Sequence, residues 1–220
     1  MKNKTTPIDN MTALTERLIA AVAALPLADK VTALNTIRSA LHDVSPFASE
    51  PVDCVLWVAA DVVRANGYNP NTVAPAEMKL LTRSIAADGY TQPIVSFATE
   101  EGDEVVDEVV DGFHRSRVGK EDSAVRERVH GYLPVARIQS DRTARKDRVA
   151  ATVRHNRARG KHGVKPMSDI VTDLRREGWL DDEIGTELGM EYDEVLRLKQ
   201  ITGLAELFAD REYSRAWEPK

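Results

Sequence analysis

A valine-rich run, Glu104 to Val110, leads straight into Asp111-Gly-Phe-His-Arg-Ser-Arg117, and a basic run of helical character follows. That order reads as strand, tight glycine turn, helix start. It gathers main-chain N–H groups, an imidazole and two guanidinium groups around one small volume. A helix N-terminus with arginine beside it is a ready site for a phosphate. Gly112 lets a main chain approach an anion with no Cβ in the way. Arg115 can grip phosphate oxygens bidentately and stays charged at any working pH. His114 can donate to a phosphate oxygen or shuttle a proton, depending on its tautomer. Asp111 can cap the helix or face the phosphates through a metal. Arg117, two residues beyond Arg115, is expected to point elsewhere. The competing reading is a plain helix start with a surface histidine and solvated arginines.

Charge distribution supports an anion site more than the total charge does. The chain of 220 residues carries 30 Lys and Arg against 35 Asp and Glu, a net charge of −5. Between Asp111 and Lys165, however, fifteen cations face six acids. A basic stretch in an otherwise acidic protein points to a local anion site, not to a generally sticky surface. The alternative is a solvated helix face. Cys54, the single cysteine, lies in the apolar run Val52 to Val58 and reads as a small core residue, in keeping with a reducing compartment. There is no signal peptide and no apolar span of about 20 residues, so a cytoplasmic protein away from membranes is expected. No metal-ligand set is assigned.

Apolar residues make up 42% of the chain, enough for a sizeable core. Asn10 to Val44 reads as two helices broken at Pro26, with stripes Leu14, Leu18, Val22, Leu25 and Val31, Leu34, Ile37, Leu41. Such a hairpin needs the next domain or a second copy of itself to cover its stripes, which leaves a homodimer open. Ser45 to Pro51 is a connector. Val52 to Val63 reads as a strand, and Asn66-Gly-Tyr-Asn-Pro-Asn71 as a turn cluster. Pro75 suits the first turn of a helix to Asp88, closed by Gly89. Ile94 to Phe97 and Glu104 to Val110 read as a hairpin, and Pro134 to Ile138 as a last strand. Arg142 to Ala158 is expected to be helical, and Gly160 to Pro166 a linker. Ser168 then caps a helix from Asp169 to Glu177. Asp181 to Leu188 and Tyr192 to Ile201 complete a helix-turn-helix around Gly189. The expected fold is mixed α/β. A helical hairpin spans residues 1–48, a nucleotide-binding α/β domain 49–141, a helix-turn-helix domain 142–205 and a tail 206–220.

Asn66 to Pro70, Ser84-Ile-Ala-Ala-Asp-Gly-Tyr90, Gln92-Pro-Ile94 and Val110-Asp-Gly-Phe-His-Arg115 follow in the order of the ParB/sulfiredoxin-like fold, which residues 52 to 204 resemble. Arg154-His-Asn-Arg157, leading into the helix-turn-helix, is similar to the second nucleotide-contacting motif of ParB proteins. Within that group, His155-Asn-Arg-Ala-Arg-Gly160, Met167-Ser-Asp-Ile-Val171, Glu194-Val-Leu-Arg-Leu-Lys-Gln200, Asp210-Arg and Ser214-Arg-Ala-Trp217 resemble IbrB-like prophage co-activators, which extends the likeness to nearly the full chain. The resemblance implies a nucleotide-binding regulator of transcription or DNA transactions. CTP or ATP, with or without Mg²⁺, would be held by Gly112, His114, Arg115, Asn156 and Arg157. It also implies a phosphoadenosine-phosphosulfate-reductase-like protein partner. ParB proteins use CTP as a clamp switch, and a free-serine kinase shares the fold.

Two departures limit what is carried over. The ParB motif begins with Glu where this chain has Arg154, which puts Mg²⁺ ligation and hydrolysis in doubt. Sulfiredoxins place a reactive Cys in the turn where this chain has Phe113, which argues against that reductase chemistry. If the protein is an enzyme, a kinase or a nuclease, Asp111 and His114 are the catalytic candidates, but no distinct base is identified. A third reading is a protein-interaction module with a vestigial pocket. For DNA, the start of the recognition helix, Glu191-Tyr-Asp-Glu194, is acidic and ill-suited to phosphates. Arg157, Arg159, Lys161 and Lys165 form a better phosphate track, with Arg197 and Lys199 as later contacts.

Overall fold

The computed structural model describes residues 7–67, 74–102, 104–138, 145–157 and 164–209, with side chains at 10–67, 74–102, 104–138, 147–155 and 164–201. Two helices open the chain, α1 (Pro7–Ala23) and α2 (Leu27–His42), broken at Pro26 as the pattern requires. The α2 stripe is half-buried at Val31, Leu34 and Ile37. Its Asn35 amide donates to Trp57 O (2.7 Å) and accepts from Trp57 N (3.0 Å), which fastens α2 to a sheet edge. In the first stripe Val22 and Leu25 are half-buried, but Leu14 and Leu18 stay 48% and 44% exposed. The expected cover is thus partial for both stripes among the described residues, since Leu41 at the end of α2 is exposed as well.

Val52 to Val63 is not one strand. A 3-10 turn at Pro51–Asp53 precedes β1 (Val55–Ala59), a second at Ala60–Val62 follows, and β2 is only Val63–Arg64. The reason lies in the topology. A five-stranded sheet runs in the order β1-β5-β3-β4-β2, with β3 (Ile94–Glu101), β4 (Glu104–Asp111) and β5 (Tyr132–Arg137). β1 and β2 therefore occupy opposite edges, yet three residues join them. Flat, those edges would stand about 19 Å apart at ~4.8 Å per strand. The connection reaches at most about 14 Å. The sheet must curl, and the 3-10 turn at Ala60, whose N–H donates to Gly131 O (2.9 Å), carries the chain across the gap.

β3 and β4 form the expected antiparallel hairpin, and β5 joins β3 in parallel. One fully buried carboxylate ties these strands together. Asp107 on β4 accepts from Ser96 Oγ on β3 (2.7 Å) and from Arg137 Nε and Nη2 on β5 (2.9 and 2.8 Å). A buried carboxylate is tolerable only when paired and hydrogen-bonded in this way.

Between the strands run α3 (Pro75–Asp88), α4 (Phe113–Glu121) and α5 (Ser123–Arg128). The α5 turn is not legible as a separate helix in the sequence. It follows from Asp122, whose carboxylate accepts from Val125 N (2.9 Å) as an N-cap. Ile85, Val118 and Val125 join these helices in a small core beside the main one of Ala60, Val63, Ile94, Val109, Leu133 and Val135. Gly119 sets the approach of α4 to the sheet. A Cβ there would lie 2.3 Å from the Tyr90 hydroxyl and 2.4 Å from Leu133 Cδ2.

The C-terminal helices are α6 (Arg145–Arg157), α7 (Val164–Arg176), α8 (Asp181–Leu188) and α9 (Tyr192–Ala209). The sequence reading of a linker to Pro166 and a cap at Ser168 is corrected. α7 already includes Val164 to Pro166, a proline in the first turn costing little. Ser168 is fully buried mid-helix and donates to Leu198 O. Met167, Ile170, Val171 and Leu174 of α7 pack with Trp179, Ile184, Leu188, Val195 and Leu198 in one core, to which α6 adds Val149, Ala150 and Val153. α6 also serves the sheet, where Ala151 meets Phe97 and Val110 and Arg148 pairs with Glu108 (2.9 Å).

The Gly119 contact makes a testable point about packing. Gly119→Ala gains up to about 1 kcal/mol of helix propensity but overpacks the Tyr90–Leu133 contact by about 1–3 kcal/mol. A net loss of stability is expected in urea unfolding, with the midpoint lowered and the slope unchanged.

Candidate functional site

β4 delivers Asp111 to Gly112, and the chain turns there into α4. Gly112 has φ 90° and ψ 22°, a left-handed conformation that L side chains resist, and it is the N-cap of α4. Its carbonyl accepts the first helical bond, from Ser116 N (2.8 Å). The expectation that Asp111 caps the helix is corrected: no side chain caps α4, because Asp111 still lies in the strand.

Arg115 does not reach outward. Its guanidinium folds back over Gly112 and donates to Asp111 Oδ2, to Pro93 O and to Gln92 Oε1, each at 3.1 Å. A Cβ on Gly112 would stand 2.9 Å from Arg115 Nη2. The space that the sequence reading reserved for a phosphate is therefore taken by the arginine. Its Nε is buried and has no hydrogen-bond partner among the described residues. Arg115 thus locks the β4–α4 turn to the Gln92-Pro93 connection that precedes β3.

His114 and Arg117 face the other way and together line a cleft of about 400 Å³ against α3, with Pro75, Met78, Lys79 and Thr82. Arg117 thus points elsewhere than Arg115, as its two-residue offset implies. Three residues apart, His114 and Arg117 share a helix face. Arg117 is exposed, and its Nε hydrogen-bonds the Glu121 carboxylate (2.8 and 2.9 Å). The His114 ring sits edge-on to Phe113 at 5.2 Å. Burial, with the nearby charge of Arg117, lowers its pKa below the ordinary 6.5. That shift favours the neutral imidazole. Lys79 and Thr82 were missed by sequence reasoning. Their three-residue spacing on a half-exposed helix is the faint signal that was there.

Tyr90 holds the turn from behind. Its hydroxyl donates to Arg115 O (2.9 Å), and burial pushes its pKa up to about 12, so it stays a donor. Asn66, from the turn cluster, donates to Val109 O (2.5 Å) and to Thr152 Oγ1 (3.1 Å), tying β4 to α6. Asn156 and Arg157 end α6, but their side chains lie outside the described residues, as do Arg159 and Lys161. Arg154, the residue that replaces the ParB acid, pairs with Glu187 of α8. Of the other cations assigned to DNA, Lys165 is exposed on the first turn of α7. Arg197 is exposed and donates to Asp193 O (3.2 Å). Lys199 is half-buried and pairs with Asp181 Oδ2 (2.7 Å), which holds α9 to α8, so that this lysine serves the fold. Among the described residues no group of three or more His, Cys, Asp or Glu is placed to hold a metal ion, and no helix is long and apolar enough to cross a membrane.

The class follows from these parts: a mixed α/β domain on a curled five-stranded sheet, carrying a C-terminal helix-turn-helix. Residues 162–210 match the family model of the IbrB-like C-terminal HTH domain, in line with the resemblance read from the sequence. The chain belongs to the family of the uncharacterized protein YbdM of Escherichia coli (strain K12), with which it is 56% identical over 207 residues, 94% of this chain and 96% of YbdM. Two crystal structures of C-terminally truncated ParB from Caulobacter crescentus are also similar. The complex with CTP-γ-S gives a TM-score of 0.36 at 16% identity, covering 70% of this chain and 83% of that one. The complex with the parS site gives 0.44 at 13% identity, covering 71% and 79%.

Two outcomes follow from the turn and the cleft. Gly112→Ala meets both a disfavoured φ and the Arg115 guanidinium, and is expected to cost about 1–3 kcal/mol in thermal or urea unfolding. For His114, a folded pKa below the unfolded 6.5 means that its contribution to stability is complete above pH 6.5 and is lost as pH falls through the folded value. Its NMR titration is expected to fall below 6.5 and to rise when tripolyphosphate is added. An unmoved titration means that the cleft holds no anion.

Proposed function

We propose that the protein is a nucleotide-binding regulator acting on DNA, a co-activator of IbrB type, in the cytoplasm. One observation carries the reading. His114, Arg117 and Lys79 converge with the Thr82 hydroxyl on a cleft at the N-terminus of α4, in a chain that ends in an IbrB-like helix-turn-helix. The donor set fits a phosphate chain: two cations, an imidazole and one hydroxyl, with no carboxylate lining the cleft among the described residues. CTP is the first candidate and ATP the second, since the ParB relative was solved with CTP-γ-S. A Mg²⁺ ion would arrive on the phosphates.

In this reading Arg115 has two settings. It locks the turn through Asp111, Gln92 and Pro93, or it swings to the phosphates with His114 and frees the Gln92-Pro93 connection. Asn156 and Arg157 at the end of α6 supply the second set of contacts. Because α6 packs on both the sheet and the helical core, a ligand that favours one setting would bias the angle between the domains. Lys165 and Arg197 remain the DNA-phosphate contacts, with Arg157, Arg159 and Lys161 as the flanking track.

Calorimetric titration of CTP and ATP, each with and without Mg²⁺, tests the reading. Lys79→Ala, Arg117→Ala and Arg115→Ala are each expected to lose about 1–2 kcal/mol of affinity, roughly five- to thirtyfold. Heat from neither nucleotide, or unchanged affinity in all three variants, sinks it.

A second reading has its own observation. Met11, Leu14, Leu18 and Ile19 leave an apolar face of α1 exposed, which suits a protein partner, by resemblance one of phosphoadenosine-phosphosulfate-reductase type. Retention of such a partner by the Arg115→Ala protein, but not after Leu14→Glu, would favour it.

A further inference from the structure

A second cavity, of about 380 Å³, lies apart from the α3–α4 cleft and shares no residue with it. It is lined by Val31 of α2, Trp57 of β1, Gly89 and Tyr90 after α3, and Arg128, Val129, His130 and Tyr132 around the α5–β5 connection. Its size falls in the range of roughly 300–1,000 Å³ typical of small-molecule sites. Three of the twelve aromatic residues in the chain meet at this one place, so its wall is suited to a flat ring.

The wall is built, not accidental. Asn35 holds the Trp57 main chain through a donor and an acceptor bond. Arg128 is pinned by donating to Ile85 O and Ala86 O, both at 2.7 Å, at the C-terminal end of α3. His130 is the one described residue other than glycine with positive φ, at 53°. That left-handed residue closes α5, with His130 N donating to Glu127 O and Gly131 N to Arg126 O (3.0 Å each), and so fixes where the imidazole leaves the chain. The cavity thus combines an aromatic wall with one guanidinium and one imidazole, and among the described residues no carboxylate lines it.

We propose that this cavity binds a small flat aromatic acid, of one or two rings with a carboxylate, and that its occupancy reaches the Gly112 turn. The ring lies among Trp57, Tyr90 and Tyr132, and the carboxylate faces Arg128 and His130. The link to the turn is Tyr90. It lines the cavity, while its hydroxyl donates to Arg115 O and lies where a Cβ on Gly119 would clash. A ligand that moves the Tyr90 ring therefore moves the carbonyl of Arg115 and the start of α4. The site does not depend on a nucleotide binding elsewhere.

The test is ¹H–¹⁵N NMR on the full chain with 1-naphthoate, indole-3-acetate and benzoate as probes. Saturable shifts are expected at the Trp57 indole N–H and at the Gly89 and Val129 amides, with 1-naphthoate tightest, and with a second set of shifts at Phe113 to Ser116. Val31→Phe, which fills the cavity, is expected to weaken 1-naphthoate at least roughly tenfold at an unchanged melting temperature. His130→Asn, which keeps the backbone conformation, is expected to weaken 1-naphthoate but not neutral 1-naphthol, and stands as the test if Val31→Phe does not fold. Tyr90→Phe is expected to keep binding and lose the shifts at Phe113 to Ser116. No saturable binding by any of the three acids, or binding indifferent to both Val31→Phe and His130→Asn, overturns the site. Shifts at Phe113 to Ser116 that survive Tyr90→Phe overturn the link.

Discussion

The guanidinium of Arg115, folded across Gly112, is the contact on which the arrangement of the α/β domain turns. It joins the end of β4, the start of α4 and the Gln92-Pro93 connection through three hydrogen bonds of 3.1 Å. Only a glycine leaves room for it, and only a left-handed backbone aims the chain into α4. One side chain thereby sets the direction of the helix whose opposite face carries His114 and Arg117. A charged group held by one carboxylate, one carbonyl and one amide, with its Nε unpaired among the described residues, is stable yet replaceable.

A second charged contact does the corresponding work inside the sheet. Asp107, buried without exposure to water, draws Ser96 and Arg137 to itself and so unites β3, β4 and β5. The parallel β3–β5 pair, which no hairpin turn enforces, gains a specific register from it. Outside the sheet, α6 belongs to two cores at once, with Ala151 against Phe97 and Val110 and with Val149, Ala150 and Val153 against the helix-turn-helix. A helix shared in this way is a direct physical link between the α/β domain and the helix-turn-helix domain.

Much of this architecture could be read along the chain because it rests on local chemistry. Pro26 breaks a helix, Pro75 opens one, and Gly89 and Gly189 close two with positive φ. The valine run and the glycine after Asp111 mark β4 and its turn. The helix-turn-helix was legible because its short helices carry their own stripes and punctuation. Val52 to Val63 misled because its β-branched and apolar residues outweigh Asp53 and Asp61, where the two 3-10 turns fall. Its break at Ala60 is imposed from outside, by a sheet whose edges have to meet. Ser168 misled likewise: beside a proline and before an apolar stripe it looks like a cap, but the stripe extends the helix past it.

The sequence by itself determined that a strand, a glycine turn and a cationic helix start would follow one another, since propensity, φ and charge are properties of neighbouring residues. It also determined the family, because the ordered motifs and the C-terminal helices carry that likeness. Only the tertiary structure decided which cation does what. Arg115 turned inward because Gln92, Pro93 and Asp111, up to 23 residues away, form its acceptors. His114 and Arg117, neighbours on one face of α4, line a cleft because α3 packs beside them. Lys199 turned to α8 because Asp181 lay within reach. A side chain's role depends on the partner it meets, and partners distant in sequence are chosen by packing.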